Sequence, residues 1–411
     1  MSRHETHKSS YVQPEARMSR LPSELCDIVI GYLWDDPHAL ASCGAVCRSW
    51  IPASRHLLFS DQNPRVPALY SSRPSTVTES NAAVFSALLD SPHCSFKSTL
   101  SFLRFASTKR KAAFPRSSPF HAARSILLKL STLRSLRRLD ILFDDFSDIS
   151  DEDWQGLTSS ISLQLRDLRL HLVSFANLDQ MLGLISAYPA LQVLCLTKMT
   201  TFIGLDSHIT SVSARAFLRS LLTLNLPKYD QFIADTIIRW LHHYPPPLLQ
   251  NLAIPLGGGY SPMDHYVFAF VKNLGASLRR LEITRKDWRV DLEDSQSLDL
   301  SSNTNLRILD LGCVYLRHGA LDRDGLPVVL SSITSTHVEH IGFGISNSAR
   351  DWWGSAALIW QILAGPRFAR LEEIVVSVPE SDLPYLRDNL ADCEVRGLLR
   401  IRAIPARALD A

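Results

Sequence analysis

The sequence predicts an α/β chain in two parts. A short all-helical N-terminal module comes first, then an irregular solenoid whose strands form one parallel ladder backed by helices. Three observations carry this reading. From residue 96 onward the pattern apolar-x-x-apolar-x-apolar recurs at nearly regular spacing. Helical patterns lie between its copies and stop at Gly or Pro. Ahead of both, residues 18–60 are a dense run of apolar residues at helical spacing with proline start signals.

Composition sets the bounds. A chain of 411 residues is too long for one ordinary compact domain but suits a small module plus a repeat array. Hydrophobic residues make up 46% and charged residues 20%, which supplies ample core material for a globular protein. A net charge of +2 demands neither nucleic acid nor an anionic membrane as partner. The 7 cysteines are scattered and odd in number, which fits a reducing compartment better than a disulfide framework. The first residues lack the apolar core of a signal peptide, and no stretch is long and apolar enough to span a bilayer. The expected location is cytoplasm and/or nucleus.

Residues 1–17 are polar and aperiodic, and read as a disordered lead-in. Over 18–60, Pro22 reads as the first residue of a helix, where its missing N–H costs nothing. Leu21, Leu25, Ile28, Val29 and Leu33 then form one apolar stripe. Asp36-Pro37 repeats the start signal, with Asp36 as cap. Leu40, Cys43, Val46, Cys47 and Trp50 continue the apolar face, and Pro52 interrupts any helix running through Trp50. So short a segment buries little core alone, so its stripes call for a partner surface. Residues 61–95 read as a Pro/Ser/Thr-rich linker and a first helix. The Lys109-Arg110-Lys111 cluster reads as a solvated loop, with a nuclear-localisation signal as the alternative.

The repeat occupies 96–405. Its copies are Leu100/Leu103/Phe105, Leu136/Leu139/Ile141, Leu165/Leu168/Leu170, Leu191/Leu194/Leu196 and Leu221/Leu224/Leu226. They continue as Leu249/Leu252/Ile254, Leu278/Leu281/Ile283, Leu306/Leu309/Leu311, Val338/Ile341/Phe343 and Leu371/Ile374/Val376. Successive copies lie 36, 29, 26, 30, 28, 29, 28, 32 and 33 residues apart, and the central spacings match leucine-rich repeats. Between copies, Leu178/Met181/Leu182/Ile185, Ile233/Ile237/Trp240/Leu241/Tyr244, Val267/Phe270/Val271/Leu274 and Ala357/Leu358/Ile362/Leu363 read as helix faces. A strand plus a helix per copy is one solenoid unit that buries its leucines against its neighbours.

In-phase stacking puts Arg104, Asp140, Arg169, Cys195, Asn225, Ala253, Glu282, Asp310, Gly342 and Val375 in one row across the strands. Phe102, Arg138, Asp167, Val193, Thr223, Asn251, Arg280, Ile308, His340 and Glu373 form the row beside it. Charges alternate in sign along Arg104–Asp140–Arg169 and Arg138–Asp167, as neighbouring strands favour. The asparagine three residues after the last apolar position of a regular leucine-rich repeat is missing. Residues such as Asp144, Val173 and Met199 stand there, so the arc is expected to be irregular.

Leu21-Pro22-Ser23-Glu24-Leu25, the spaced Leu40, and Val46-Cys47-Arg48-Ser49-Trp50 together resemble the F-box family, in the pattern LPxEL…VCRxW. Cys26 stands where that family more often has Leu, and Gly31 costs about 1 kcal/mol relative to Ala late in the helix. An F-box ahead of leucine-rich-repeat-like units is similar to a fungal-type F-box family. The resemblance implies a non-catalytic substrate-recognition subunit of an SCF-type cullin–RING E3 ubiquitin ligase. Leu21, Pro22, Leu25, Ile28, Leu33, Leu40, Val46, Cys47 and Trp50 would contact a Skp-family adaptor, which links to a cullin, and the repeats would hold a protein substrate. An interaction scaffold outside any ligase is the alternative.

No catalytic, cofactor or metal signature stands against this. Cys43 and Cys47 share a helix face without a second ligand pair, and His242-His243 and His337/His340 are isolated. Gly257-Gly258-Gly259 lacks the Lys-Ser/Thr of a phosphate loop. Asp151-Glu152-Asp153 reads as compensation of a helix dipole. The concave strand face is the expected substrate surface. There Glu282 and Asp310 stack as like charges, which favours a basic substrate contact with Arg280 and Trp288 nearby, unless the pair simply splays into solvent.

Overall fold

A computed structural model describes residues 22–33, 36–46, 49–51, 53–54, 76–78, 82–91, 94–98, 100–106, 126–146, 149–159, 164–199, 218–226, 231–256, 264–285, 298–314, 325–345, 353–379 and 397–404. The chain divides into two compact units, Met1–Pro74 and Ser75–Ala411.

In the first unit, α1 (Ser23–Gly31) is followed by α2 (Pro37–Val46). Pro22 is not the first helical residue. It stands as the N-cap with φ −51° and ψ 141°, and its carbonyl accepts from the Leu25 and Cys26 amides at 3.1 Å. Asp36 caps α2 as expected: its Oδ1 accepts from the Ala39 amide at 2.9 Å, and Pro37 takes the first helical position. A further helical turn forms around Ile51, where the Ser54 amide bonds the Trp50 carbonyl at 3.0 Å. The unit has a small core of its own in Ile30, Leu40 and Cys43, with Leu33, Trp50 and Ala53 packed against it. Gly44 permits this close approach, because a Cβ there would stand 3.1 Å from Ser54 Oγ.

The second unit is built on one twelve-stranded sheet, all parallel and in sequence order. Its strands are β1 (Thr76–Val77), β2 (Phe102–Ala106), β3 (Arg138–Asp145), β4 (Asp167–Ser174), β5 (Val193–Thr197) and β6 (Thr223–Asn225). They continue as β7 (Asn251–Leu256), β8 (Arg280–Arg285), β9 (Ile308–Val314), β10 (His340–Ile345), β11 (Glu373–Pro379) and β12 (Leu399–Ile404). Parallel neighbours need crossovers. Described helices supply several of these: α3 (Ala82–Asp90), α4 (Asp151–Ser159), α5 (Leu178–Ser186), α6 (Gln231–His243), α7 (Asp264–Leu274), α8 (Gly325–Ser332) and α9 (Trp353–Leu363). The α/β solenoid class and its parallel ladder are therefore as expected.

The register agrees with in-phase stacking along both rows, with one shift between Gly342 and Gly344 where β10 pairs β9. Arg104 pairs Asp140, Asp140 pairs Arg169, Arg169 pairs Cys195, and the row continues through Glu282, Asp310 and Gly342 to Val375. The apolar positions beside it, such as Leu139, Leu168, Leu194, Leu252 and Leu281, are buried. A bond ladder runs where the strands begin: the Arg166 and Asp167 amides both donate to Arg137 O, and the Gln192 and Val193 amides to Arg166 O.

The ladder extends one strand beyond the ten copies of the pattern at each end. Thr76–Val77, inside the stretch read as linker and first helix, pairs with β2. At the other end Leu399 and Ile401 pair with Ile374 and Val376. Neither terminal strand carries the full apolar-x-x-apolar-x-apolar pattern in the sequence. End units stack on one side only and need fewer apolar residues.

Helix ends show how the backbone is satisfied. Asn177 caps α5 and Gln180 reaches back past it: Asn177 Oδ1 accepts from the Gln180 amide, and Gln180 Oε1 from the Ala176 amide, both at 2.8 Å. Gln180 also donates to Phe146 O at 3.0 Å, beside the Phe146–Trp154–Phe175 ring cluster. Gly275 closes α7 at φ +53°. Asn303, from the following unit and fully buried, donates to Val271 O and Gly275 O at 2.9 and 3.1 Å, satisfying carbonyls orphaned at that helix end. Two helix-face assignments shift: Tyr244 is exposed just beyond α6, and in α9 Ile359 is buried while Leu358 is exposed. Residues 1–17, the Lys109–Lys111 cluster and Gly257–Gly259 lie outside the described residues.

Leu168→Ala, at a fully buried ladder position, is expected to cost about 2–5 kcal/mol. Leu25→Ala, on an exposed face, should stay within about 0.5 kcal/mol. Urea unfolding of both variants measures the contrast, and equal shifts would contradict the assignment of faces.

Candidate functional site

Two surfaces take up the residues singled out by the sequence. On the first unit, α1 turns Cys26 and Ile30 inward and leaves Leu25, Ile28 and Val29 outside at 47%, 54% and 49% exposure. Tyr32 at 80% and Val46 at 65% are likewise outside. Of the stripe read from the sequence, Leu25, Ile28 and Val29 form the outer face of α1, whereas Leu33 packs inward with Cys26 and Ile30, which lie between the stripe's members. Of the expected contact residues, Pro22, Leu25, Ile28 and Val46 are exposed. Leu40 is buried at 1%, and Leu33 and Trp50 pack against the internal core. These three support the surface from beneath, because α2 and the turn after it close over α1. Leu21 and Cys47 lie outside the described residues.

On the second unit, the sheet face away from the leucine ladder divides into three zones. In the first, β2–β4, charges interlock. Asp140, almost fully buried, accepts from Arg104 Nη2 at 2.9 Å and from Arg138 Nε at 3.0 Å. Asp167 receives Arg169 Nε at 3.1 Å and lies 3.7 Å from Arg138 Nε. The Arg104 and Arg138 guanidinium groups also lie over the Phe102 ring, 5.2 and 4.6 Å from its centroid. Burial alone would pull the Arg169 pKa down, but the Asp167 hydrogen bond and charge outweigh it and the net direction is up.

The second zone, β5–β7, is uncharged on this face: Val193, Cys195, Thr223, Asn225, Asn251 and Ala253. Burial pushes the Cys195 thiol up, with the Asn225 amide 3.9 Å from its sulfur pulling the other way, so it is not an activated nucleophile. Asn251 Nδ2 donates to Thr223 Oγ1 at 3.0 Å. His171 on β4 meets Thr197 Oγ1 at 2.6 Å.

The third zone, β8–β12, brings Arg280, Glu282 and Asp310 together. Glu282 and Asp310 are direct neighbours, as the spacing implied. The like charges are accommodated internally. Glu282 lies 3.8 Å from Arg280, while Asp310 leans over Gly342, where a Cβ would meet its carboxyl carbon at 3.2 Å, and accepts from the Gly312 amide at 3.0 Å. Trp288 lies outside the described residues. His337 and His340 each have a protein partner, Arg370 at 3.0 Å and Glu373 at 3.3 Å. Among the described residues no group of three His, Cys, Asp or Glu side chains could hold a metal ion, and no helix is long and apolar enough to cross a membrane.

No family model matches this chain, and no curated protein matches it. Solved structures to which this chain is distantly similar include the leucine-rich repeat-containing protein LegL7 from Legionella pneumophila, at 13% identity and a TM-score of 0.37, covering 74% of this chain and 91% of that one. Another is the Rad7–Elc1 complex in yeast, at 11% identity and a TM-score of 0.38, covering 89% of this chain and 85% of that chain. Both likenesses are distant.

One feature of the strand surface escaped the sequence reading. The residue just ahead of each strand forms a third row, which includes Arg137, Arg166, Gln192, Leu222 and Gln250. The signal was present, since each follows the first apolar residue of its copy, but only the bond ladder shows that these residues stack.

Asp140→Ala should destabilise the fold by about 3 kcal/mol, because it leaves two partly buried guanidinium groups without their carboxylate. Asp167→Ala should cost less, since Arg138 keeps Asp140; urea midpoints of the pair measure this. Burial, reinforced by the Lys198 charge, holds the His171 pKa below its ordinary value of 6.5. The stability it contributes is therefore complete above the unfolded-state pKa and lost as pH falls through the folded one. His171→Asn should flatten the loss of stability on acidification below neutral pH, and an unchanged pH slope would contradict the assignment.

Proposed function

We propose that this chain is a non-catalytic substrate-recognition subunit of an SCF-type cullin–RING ubiquitin ligase, with its N-terminal helices as an F-box and its strand face as the substrate surface. The observation that carries the reading is the partition of the first unit. Its internal core uses up Ile30, Leu40 and Cys43, and an apolar face of Leu25, Ile28, Val29, Tyr32 and Val46 remains outside. A face of this kind, on a segment matching the LPxEL…VCRxW pattern, supports docking on a Skp-family adaptor. Each anchor would add about 1.5–3 kcal/mol on full burial, and a few such anchors commonly dominate an interface.

The second unit supports the other half of the reading in more general terms. Parallel repeats present an extended face on which half-exposed side chains from successive strands are aligned, which suits a protein ligand. In this assignment, catalytic groups belong to other subunits.

The test is co-purification of adaptor and cullin with the wild-type chain and with Leu25→Asp/Ile28→Asp. Both residues are exposed, so the variant should fold normally, whereas a change at Trp50 or Leu40 would damage the internal core. The expected result is adaptor and cullin with the wild type and neither with the variant. Recovery of adaptor without cullin would favour an interaction scaffold outside the ligase. Recovery of neither by the wild type would overturn the reading.

A further inference from the structure

We propose that the β2–β4 end of the strand face is a docking surface for an extended acidic peptide. This rests on the reading of the strand face as the protein-binding surface and specifies which ligand it selects. Five arginines gather here: Arg104, Arg138 and Arg169 lie on β2, β3 and β4 beside the carboxylates of Asp140 and Asp167, and Arg137 and Arg166 stand at the edge where β3 and β4 begin. The protein saturates those two carboxylates itself: Asp140 holds Arg104 and Arg138, and Asp167 holds Arg169.

Arg137 and Arg166 are left over. They occupy successive places in the leading row, joined by the Arg166 amide to the Arg137 carbonyl at 2.8 Å. Both are exposed, and neither has an ion-pair partner among the described residues. Two like charges thus stand one strand spacing apart, about 4.8 Å, an arrangement that costs stability until an anion sits between them. The repeat does not require charge there, because the same row continues as Gln192, Leu222 and Gln250 before it reaches Arg279 and Arg307, where Arg307 is paired with Glu339 at 3.3 Å.

The neighbouring surface decides which anion. A single-stranded nucleic acid would call for a continuing basic track with aromatic platforms. Instead, β5–β7 offer Thr223, Asn225 and Asn251, neutral hydrogen-bonding groups suited to a peptide main chain. An extended peptide crossing from β3 to β7 covers about 19 Å, or roughly six residues. The ligand therefore carries a pair of carboxylates at one end, against Arg137 and Arg166, and uncharged residues along the rest.

A displayed library of random octapeptides, selected on the full-length wild-type chain and on Arg137→Gln/Arg166→Gln, tests this directly. The wild type is expected to enrich adjacent Asp/Glu pairs and the variant to lose that enrichment. A selected peptide, fluorescein-labelled, should bind the variant at least ~10-fold more weakly, which is ~1.4 kcal/mol. Arg279→Gln/Arg307→Gln, changed in the same row near β8 and β9, should bind it like the wild type. Thermal melting of each variant confirms its fold, since all four positions are exposed.

Enrichment without acidic residues, acidic enrichment that survives in the variant, or no selected peptide overturns the proposal. So does displacement of the labelled peptide by a single-stranded oligonucleotide at lower concentration than by the unlabelled peptide. Adaptor co-purification is read separately. Acidic selection with no adaptor recovered defeats the ligase reading alone, and adaptor recovered with non-acidic selection defeats the peptide assignment alone.

Discussion

Everything on the second unit's surface depends on parallel register. Leu139, Leu168, Leu194, Leu224, Leu252 and Leu281 occupy the same phase of successive strands, and each is buried. Because side chains alternate between sheet faces, a slip of one residue at any strand would expose its leucines and bury a charge such as Arg169 or Glu282. The apolar contacts that hold the ladder therefore also place every residue on the opposite face. Burial acts on one side of the sheet, and its consequence for binding appears on the other.

The charged rows show how far this control extends. Asp140 can be nearly buried on the strand face because register brings Arg104 from one side while Arg138 reaches it from its own strand. The two arginines are in turn braced over Phe102. The lattice is satisfied internally, like the Glu282/Asp310 pair relieved by the space over Gly342. Charge left uncompensated is then informative. Arg137 and Arg166 belong to no such arrangement, although their backbones take part in the same bond ladder as every other unit.

The first unit obeys a different constraint. With so few residues it can bury only one side of each helix, and it spends Ile30, Leu40 and Cys43 on its own cohesion. Leu25, Ile28, Val29, Tyr32 and Val46 have no remaining place inside. Leu33 and Trp50 sit between the two roles, half-buried and braced against the internal cluster, so that a change there would alter the support of the outer face rather than remove a contact on it.

Much of this was legible in the chain itself, for a definable reason. Ten strands and their register follow from a local pattern repeated in sequence, and where every unit solves the same burial problem, aligning the copies aligns the strands. The caps at Asp36 and Gly275 are local too, and were readable as such. What lay beyond the sequence is whatever depends on a neighbour. The terminal strands at Thr76–Val77 and Leu399–Ile404 lack the full pattern and are recognised only by pairing with a strand that has it. Asn303 satisfies a helix end in the preceding unit, a contact no spacing within its own unit announces. On α1, Leu25 and Ile28 are as apolar as Cys26 and Ile30, so hydrophobicity could mark the helix but not choose its inner face. Only the approach of α2 made that choice, because burial is a property of what packs against a residue.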